Sequence, residues 1–143
     1  VVSRRWELIG ERHSKLQEND FEGPLPQLWR LKSLRQLDLS KNRFNGSLPD
    51  INAMTALTDV DFSSNAFSGT ILPSWGNTKL LVKSISIANN YISGTLPATL
   101  ANLVRLVKLN LSNNSLTGTI PLEFAQLRGL THVYAPPPPP PIR

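Results

Sequence analysis

Five segments of this chain share the pattern Asn-x-(Phe/Ile/Leu)-x-Gly and are closed by a proline, and that recurrence limits what it can fold into. The asparagines are Asn19, Asn42, Asn65, Asn90 and Asn114, spaced 23, 23, 25 and 24 residues apart. Gly23, Gly46, Gly69, Gly94 and Gly118 follow them by four positions, and Pro26, Pro49, Pro73, Pro97 and Pro121 close the segments. Leucines lead into each asparagine; in the second segment they are Leu28, Leu31, Leu34, Leu37 and Leu39. A unit of that length has no interior of its own and buries its apolar residues only by stacking on copies of itself. The expected architecture is a solenoid.

Each position in the repeat has a physical assignment. Leu37-x-Leu39 alternates with period two and reads as a short strand whose flanking residues face out. Ile51, Met54, Leu57, Val60 and Phe62 fill the same places in the third coil, Val82, Ile85 and Ile87 in the fourth, and Leu100, Leu103, Leu106, Leu109 and Leu111 in the fifth. The five asparagines are expected to form a buried ladder, because an amide side chain both donates and accepts where the chain turns. Phe21, Phe44, Phe67, Ile92 and Leu116 should stack as a second inner column. Gly69-Thr70-Ile71-Leu72-Pro73 is one residue longer than its counterparts, so a bulge is expected at that edge.

Asn114-Ser115-Leu116-Thr117-Gly118-Thr119-Ile120-Pro121 and Asn42-Arg43-Phe44-Asn45-Gly46-Ser47-Leu48-Pro49 resemble the plant-type leucine-rich repeats of receptor-like kinase ectodomains and polygalacturonase inhibitors. Gly94-Thr95-Leu96-Pro97, Trp29 and Trp75 are similar to the leucine-rich surface antigens of trypanosomatid protists. The resemblance covers about residues 14–135. It implies an α/β fold, a right-handed solenoid with short parallel strands on the concave side and loops and 3₁₀ turns on the convex side. Residues 1–13 match poorly and are expected to form a degenerate half-repeat or cap, and residues 136–143 a polyproline tail or linker. The resemblance further implies non-catalytic recognition at a cell surface or outside the cell, with a peptide, glycan or protein as partner. The alternatives are an adhesive protist antigen, or a cytoplasmic scaffold that offers Pro136 to Pro141 to an aromatic-lined groove.

Composition narrows the function classes. The net charge is +5, but the basic residues are spread among the leucines and form no stripe, so nucleic acid is not an expected partner. No apolar run reaches the length of a membrane span, and the chain has no cysteine. The start lacks both a methionine and a signal-like apolar run, so a piece of a longer protein is expected. No phosphate loop, metal motif or cysteine nucleophile occurs, and neither enzyme activity nor a cofactor is expected.

The concave strands predict where a partner binds. One column reads His13, Gln36, Asp59, Ser84, Lys108 and His132, and the next Lys15, Asp38, Asp61, Ser86, Asn110 and Tyr134. A third reads Gln17, Ser40, Ser63, Ala88 and Ser112. The candidate partner-binding residues are Gln36, Asp38, Asp59, Asp61, Ser63, Ser84, Ser86, Lys108, Asn110, His132 and Tyr134. Asp38, Asp59 and Asp61 concentrate charge. They read as a cradle for a cationic peptide end, as a calcium site, or as a solvated acidic patch. A glycosidase pair is disfavoured, since an open face does not supply the burial that raises one carboxyl pKa. The sequons at Asn45, Asn110 and Asn113 are permissive of glycosylation in a secreted chain.

Overall fold

A computed structural model describes residues 13–26, 28–77 and 79–135. The cap expected over residues 1–13, apart from His13, and the tail over 136–143 lie outside them. Within that span the chain winds through two parallel sheets. Strands β1 (His13–Lys15), β3 (Gln36–Asp38), β5 (Asp59–Asp61), β7 (Ser84–Ser86), β9 (Lys108–Asn110) and β11 (His132–Tyr134) pair in chain order as a six-stranded sheet. Strands β2 (Glu22–Pro24), β4 (Arg43–Ser47), β6 (Ala66–Gly69), β8 (Tyr91–Gly94) and β10 (Ser115–Leu116) form a five-stranded one. Helical structure among the described residues is confined to 3₁₀ turns at Leu28–Arg30, Pro73–Gly76, Ala98–Asn102 and Leu122–Gln126.

The first sheet follows from period-two alternation. Its middle residues Leu37, Val60, Ile85 and Leu109 are each 0–2% exposed. Val133, the equivalent residue of β11, is 40% exposed, because no further described coil stacks on it. The second sheet adds to the strands expected on the concave side. Phe44, Phe67 and Ile92 point inward from it and are fully buried, while their neighbours face out. Phe21, Phe44 and Phe67 stack at centroid distances of 6.1 and 6.3 Å, so the aromatic column exists as a run of near-parallel rings.

The asparagines stitch coil to coil. Asn90 Nδ2 donates to the carbonyls of Phe62, Ile87 and Ala88 at 3.0–3.2 Å, and its Oδ1 accepts the Phe67 N–H at 3.0 Å. Asn42, Asn65 and Asn114 repeat this set, each taking an N–H and a carbonyl from the coil before it. Asn19 is exposed, and among the described residues it repeats the own-turn part of the set, donating to the Leu16 and Gln17 carbonyls. The residue ahead of each asparagine takes a left-handed conformation, with φ of 54–58° at Glu18, Lys41, Ser64, Asn89 and Asn113. That turn swings the chain from one sheet into the other.

Two further details fix the stacking distance. Trp75 is 1% exposed, and its indole N–H donates to the Pro49 carbonyl at 3.0 Å. A Cβ on Gly76 would sit 2.1 Å from the Thr99 carbonyl oxygen, so adjacent 3₁₀ turns touch only because residue 76 has none. The extra residue before Pro73 is absorbed between β6 and the 3₁₀ turn, with Ile71 buried and Leu72 packed on the core. Strand register counted from each asparagine is unchanged across it, so the extension lies in the connection and not in either sheet.

Candidate functional site

Strand register decides which outward side chains are neighbours. Gln36, Asp59, Ser84, Lys108 and His132 are successive register partners, and so are Asp38, Asp61, Ser86, Asn110 and Tyr134. Adjacent strands lie about 4.8 Å apart, so each set forms a column across the six-stranded sheet. Between the columns, over β3, β5, β7 and β9, lies a cavity of about 240 Å³. Its walls carry Asp38, Asp59 and Asp61 on one side and Lys108 on the other, with Ser84 and Ser86 between.

The third column is not part of this surface. Ser40 and Ala88 are 8% and 3% exposed, and Ser63 is half-buried. Ser63 donates both its N–H and its hydroxyl to Asp61 Oδ1, at 2.8 and 2.5 Å. Ser40 does the same for Asp38 at 3.0 and 2.7 Å, and Ser112 for Asn110 at 3.2 and 2.8 Å. Ser63 therefore braces Asp61 and does not line the cavity, because the chain is already turning inward two residues after the strand centre. Ser86 also differs from expectation: it is only 8% exposed and lines the cavity from within.

The remaining candidates divide by position. Asp59 is held by the Thr58 hydroxyl at 2.7 Å. His132 and Tyr134 lie at the last strand, away from the cavity lining, with rings stacked at 6.3 Å; His132 Nδ1 shares a 2.7 Å hydrogen bond with the Thr131 hydroxyl. Lys41–Glu18 and Arg43–Asp20 are exposed ion pairs, and neither involves the three concave carboxylates. The hydrogen bond and charge of Glu18 hold the Lys41 ammonium above the ordinary lysine range, with a smaller contribution from Asp38. Among the described residues no three His, Cys, Asp or Glu side chains are grouped so that they could hold a metal ion. No helix among them is long and apolar enough to cross a membrane. Of the sequons, Asn45 and Asn113 are exposed, although Asn113 Nδ2 donates to Asn89 Oδ1 at 2.7 Å, and Asn110 Oδ1 accepts from Ser112.

Comparison with known proteins fits this geometry. Models of the leucine-rich repeat match residues 81–135 and 33–53, together just over half of the chain. The chain is a leucine-rich-repeat protein. Of the two likenesses in its repeats, the solved structures it resembles support the one to plant receptor ectodomains. The BIR2 ectodomain from Arabidopsis thaliana is 34% identical over 77% of this chain and 58% of its own, with a TM-score of 0.71. The leucine-rich-repeat ectodomain of the receptor kinase SOBIR1 from Arabidopsis thaliana is 26% identical over 89% of this chain and 72% of its own, at a TM-score of 0.76. The plant peptide hormone receptor RGFR1, in complex with RGF2, is 30% identical over 92% of this chain and 26% of its own, at 0.69. This solenoid thus spans just over half of the BIR2 chain and about a quarter of the RGFR1 chain. No curated protein matches it.

Proposed function

We propose that this leucine-rich-repeat solenoid is a non-catalytic recognition module of a cell-surface or secreted protein, binding an extended peptide or protein segment across its concave face. The observation that carries the reading is the pair of in-register polar columns flanking the cavity of about 240 Å³. Six strands about 4.8 Å apart span roughly 24 Å, the reach of about seven residues of extended peptide. The cavity is below the range of roughly 300–1,000 Å³ usual for small-molecule sites, so it suits one side chain of a longer ligand better than a whole metabolite. The likeness to receptor ectodomains, one of them a peptide hormone receptor, supports both the partner class and the surface location. The proline run at 136–141 has no part in the argument, and glycan on the exposed Asn45 or Asn113 is compatible with it.

The test is selection of binders from a random displayed peptide library, followed by competition with a Ser84→Trp variant that fills the middle of the cavity. Selected peptides should lose binding to Ser84→Trp by tenfold or more. Peptides indifferent to that substitution, or a glycan array that yields the only ligands, would place recognition elsewhere or in another chemistry.

A further inference from the structure

We propose that the edge between the 3₁₀ turns and the concave strands is a docking surface for an anionic lipid bilayer, on which the solenoid lies without spanning it. This goes beyond the concave reading and uses none of the residues that line the cavity.

In the sequence the basic residues are scattered, but the winding gathers them. Thr58, Lys83, Val107 and Thr131 each donate a backbone N–H to the row before, starting from the Arg35 carbonyl, at 2.7–3.0 Å. Those five residues therefore form one row across successive coils. Lys32, Val104 and Arg128 each donate a backbone N–H to the carbonyl two residues back at 2.9–3.0 Å, and so hold one place in their coils. Lys32, Arg35, Lys79, Lys83, Arg105 and Arg128 are all exposed. None of these six side chains makes a hydrogen bond or ion pair among the described residues.

Nothing on the edge balances them. No aspartate or glutamate occurs in residues 28–35, 51–58, 77–83, 101–107 or 125–131, the stretches that build it. Asp59 comes next in the chain, but its carboxylate is held by the Thr58 hydroxyl and Asp59 lines the concave cavity. The edge is thus positive over about 19 Å, four coil steps of about 4.8 Å.

Charge alone fits any polyanion, and the aliphatic side chains among the cations discriminate. Val104 is 71% exposed, and Leu81 and Val107 are exposed in the same two coils as Lys83 and Arg105. A nucleic acid or an acidic polysaccharide would leave these side chains in water. No exposed aromatic ring stands among them, within the described residues, for a base to stack on. A bilayer surface meets both needs, with anionic headgroups for the cations and an acyl boundary for the aliphatic tips. An acidic protein surface offers both as well, but it rewards groups already held in place. These six cations are held by nothing, and lipids in a fluid leaflet gather wherever they stand.

The experiment is co-sedimentation of the chain with vesicles of phosphatidylcholine alone and of phosphatidylcholine with about 30% phosphatidylserine. Binding to the anionic vesicles should be at least about tenfold stronger and should weaken as salt rises. Lys83→Glu with Arg105→Glu should reduce it by about tenfold or more. Lys41→Glu with Arg43→Glu makes the same change of net charge at the other end of the concave strands, and should reduce it by less than about threefold. Val104→Asn should cost about threefold to tenfold and leave the salt dependence in place. Unfolding midpoints verify each variant; should the first pair fail to fold, Lys32→Glu with Arg35→Glu takes its place. Equal losses from the two pairs, indifference to Val104→Asn, or binding to dextran sulfate or an acidic protein without binding to vesicles would overturn the proposal. The concave reading would stand in each case, because library peptides blocked by Ser84→Trp test it separately.

Discussion

Two kinds of column run along this solenoid, and the chain treats them in opposite ways. The inward ones are nearly monotonous: Asn42, Asn65, Asn90 and Asn114 make one bonding pattern four times, and Phe21, Phe44 and Phe67 form one ring stack. The outward ones change at almost every step, from Gln36 to Asp59 to Ser84 to Lys108 to His132. Stacking dictates the first kind, since an inward residue must satisfy the coils on both sides of it. Nothing in the stack dictates the second. Repetition therefore marks what builds the scaffold, and variation marks where a partner can be told from a non-partner.

That contrast makes graded predictions. Phe67→Ala should have the largest effect, about 3–5 kcal/mol of lost stability, because it removes a fully buried ring that packs on both Phe44 and Phe62. Chemical denaturation measures it, and a cost below about 1 kcal/mol would break the account of the column. Asn90→Ala should cost about 1–3 kcal/mol by orphaning the Phe67 N–H and three carbonyls. Asn19→Ala, the same substitution at an exposed position, should stay within about 0.5 kcal/mol, and equal losses at 19 and 90 would break the link between burial and cost.

On the outward side, Asp61→Asn should move stability by less than about 0.5 kcal/mol while reducing affinity for a library-selected peptide. A large loss of stability would make the carboxylate charge structural after all. Lys41→Met should be smaller still. The raised Lys41 pKa means that whatever the Glu18 pair contributes is complete below the ordinary lysine value of about 10.4 and lost as pH rises through the folded one. The pair is exposed on both sides, so thermal melts of the two proteins at pH 7 should coincide within error.

Much of the scaffold was legible because its residues answer to single physical demands. A buried turn needs an amide such as Asn65, and a strand centre between two coils needs Leu37 or Val60. The second sheet was harder to read, because Asn-x-Phe-x-Gly ends in a residue that usually punctuates structure. Gly94 keeps β8 going to a positive φ of 80°, where the Thr70 methyl carbon lies 2.9 Å from the place a Cβ would take. The left-handed turn before each asparagine was also hidden, since Lys41 and Ser64 carry no signature of it. Within the candidate site the columns followed from alternation. The serine brackets and the burial of Ser86 did not, because both depend on how sharply the chain curls after the strand.

The central claim is that recognition belongs to the varied columns and not to the other sheet. Amide-resolved NMR of the chain with one library-selected peptide tests it most directly. The account predicts shift changes concentrated on β3, β5, β7 and β9, around the cavity, with β4, β6 and β8 nearly silent. Changes centred on Arg43–Ser47, Ala66–Gly69 and Tyr91–Gly94 instead would contradict it.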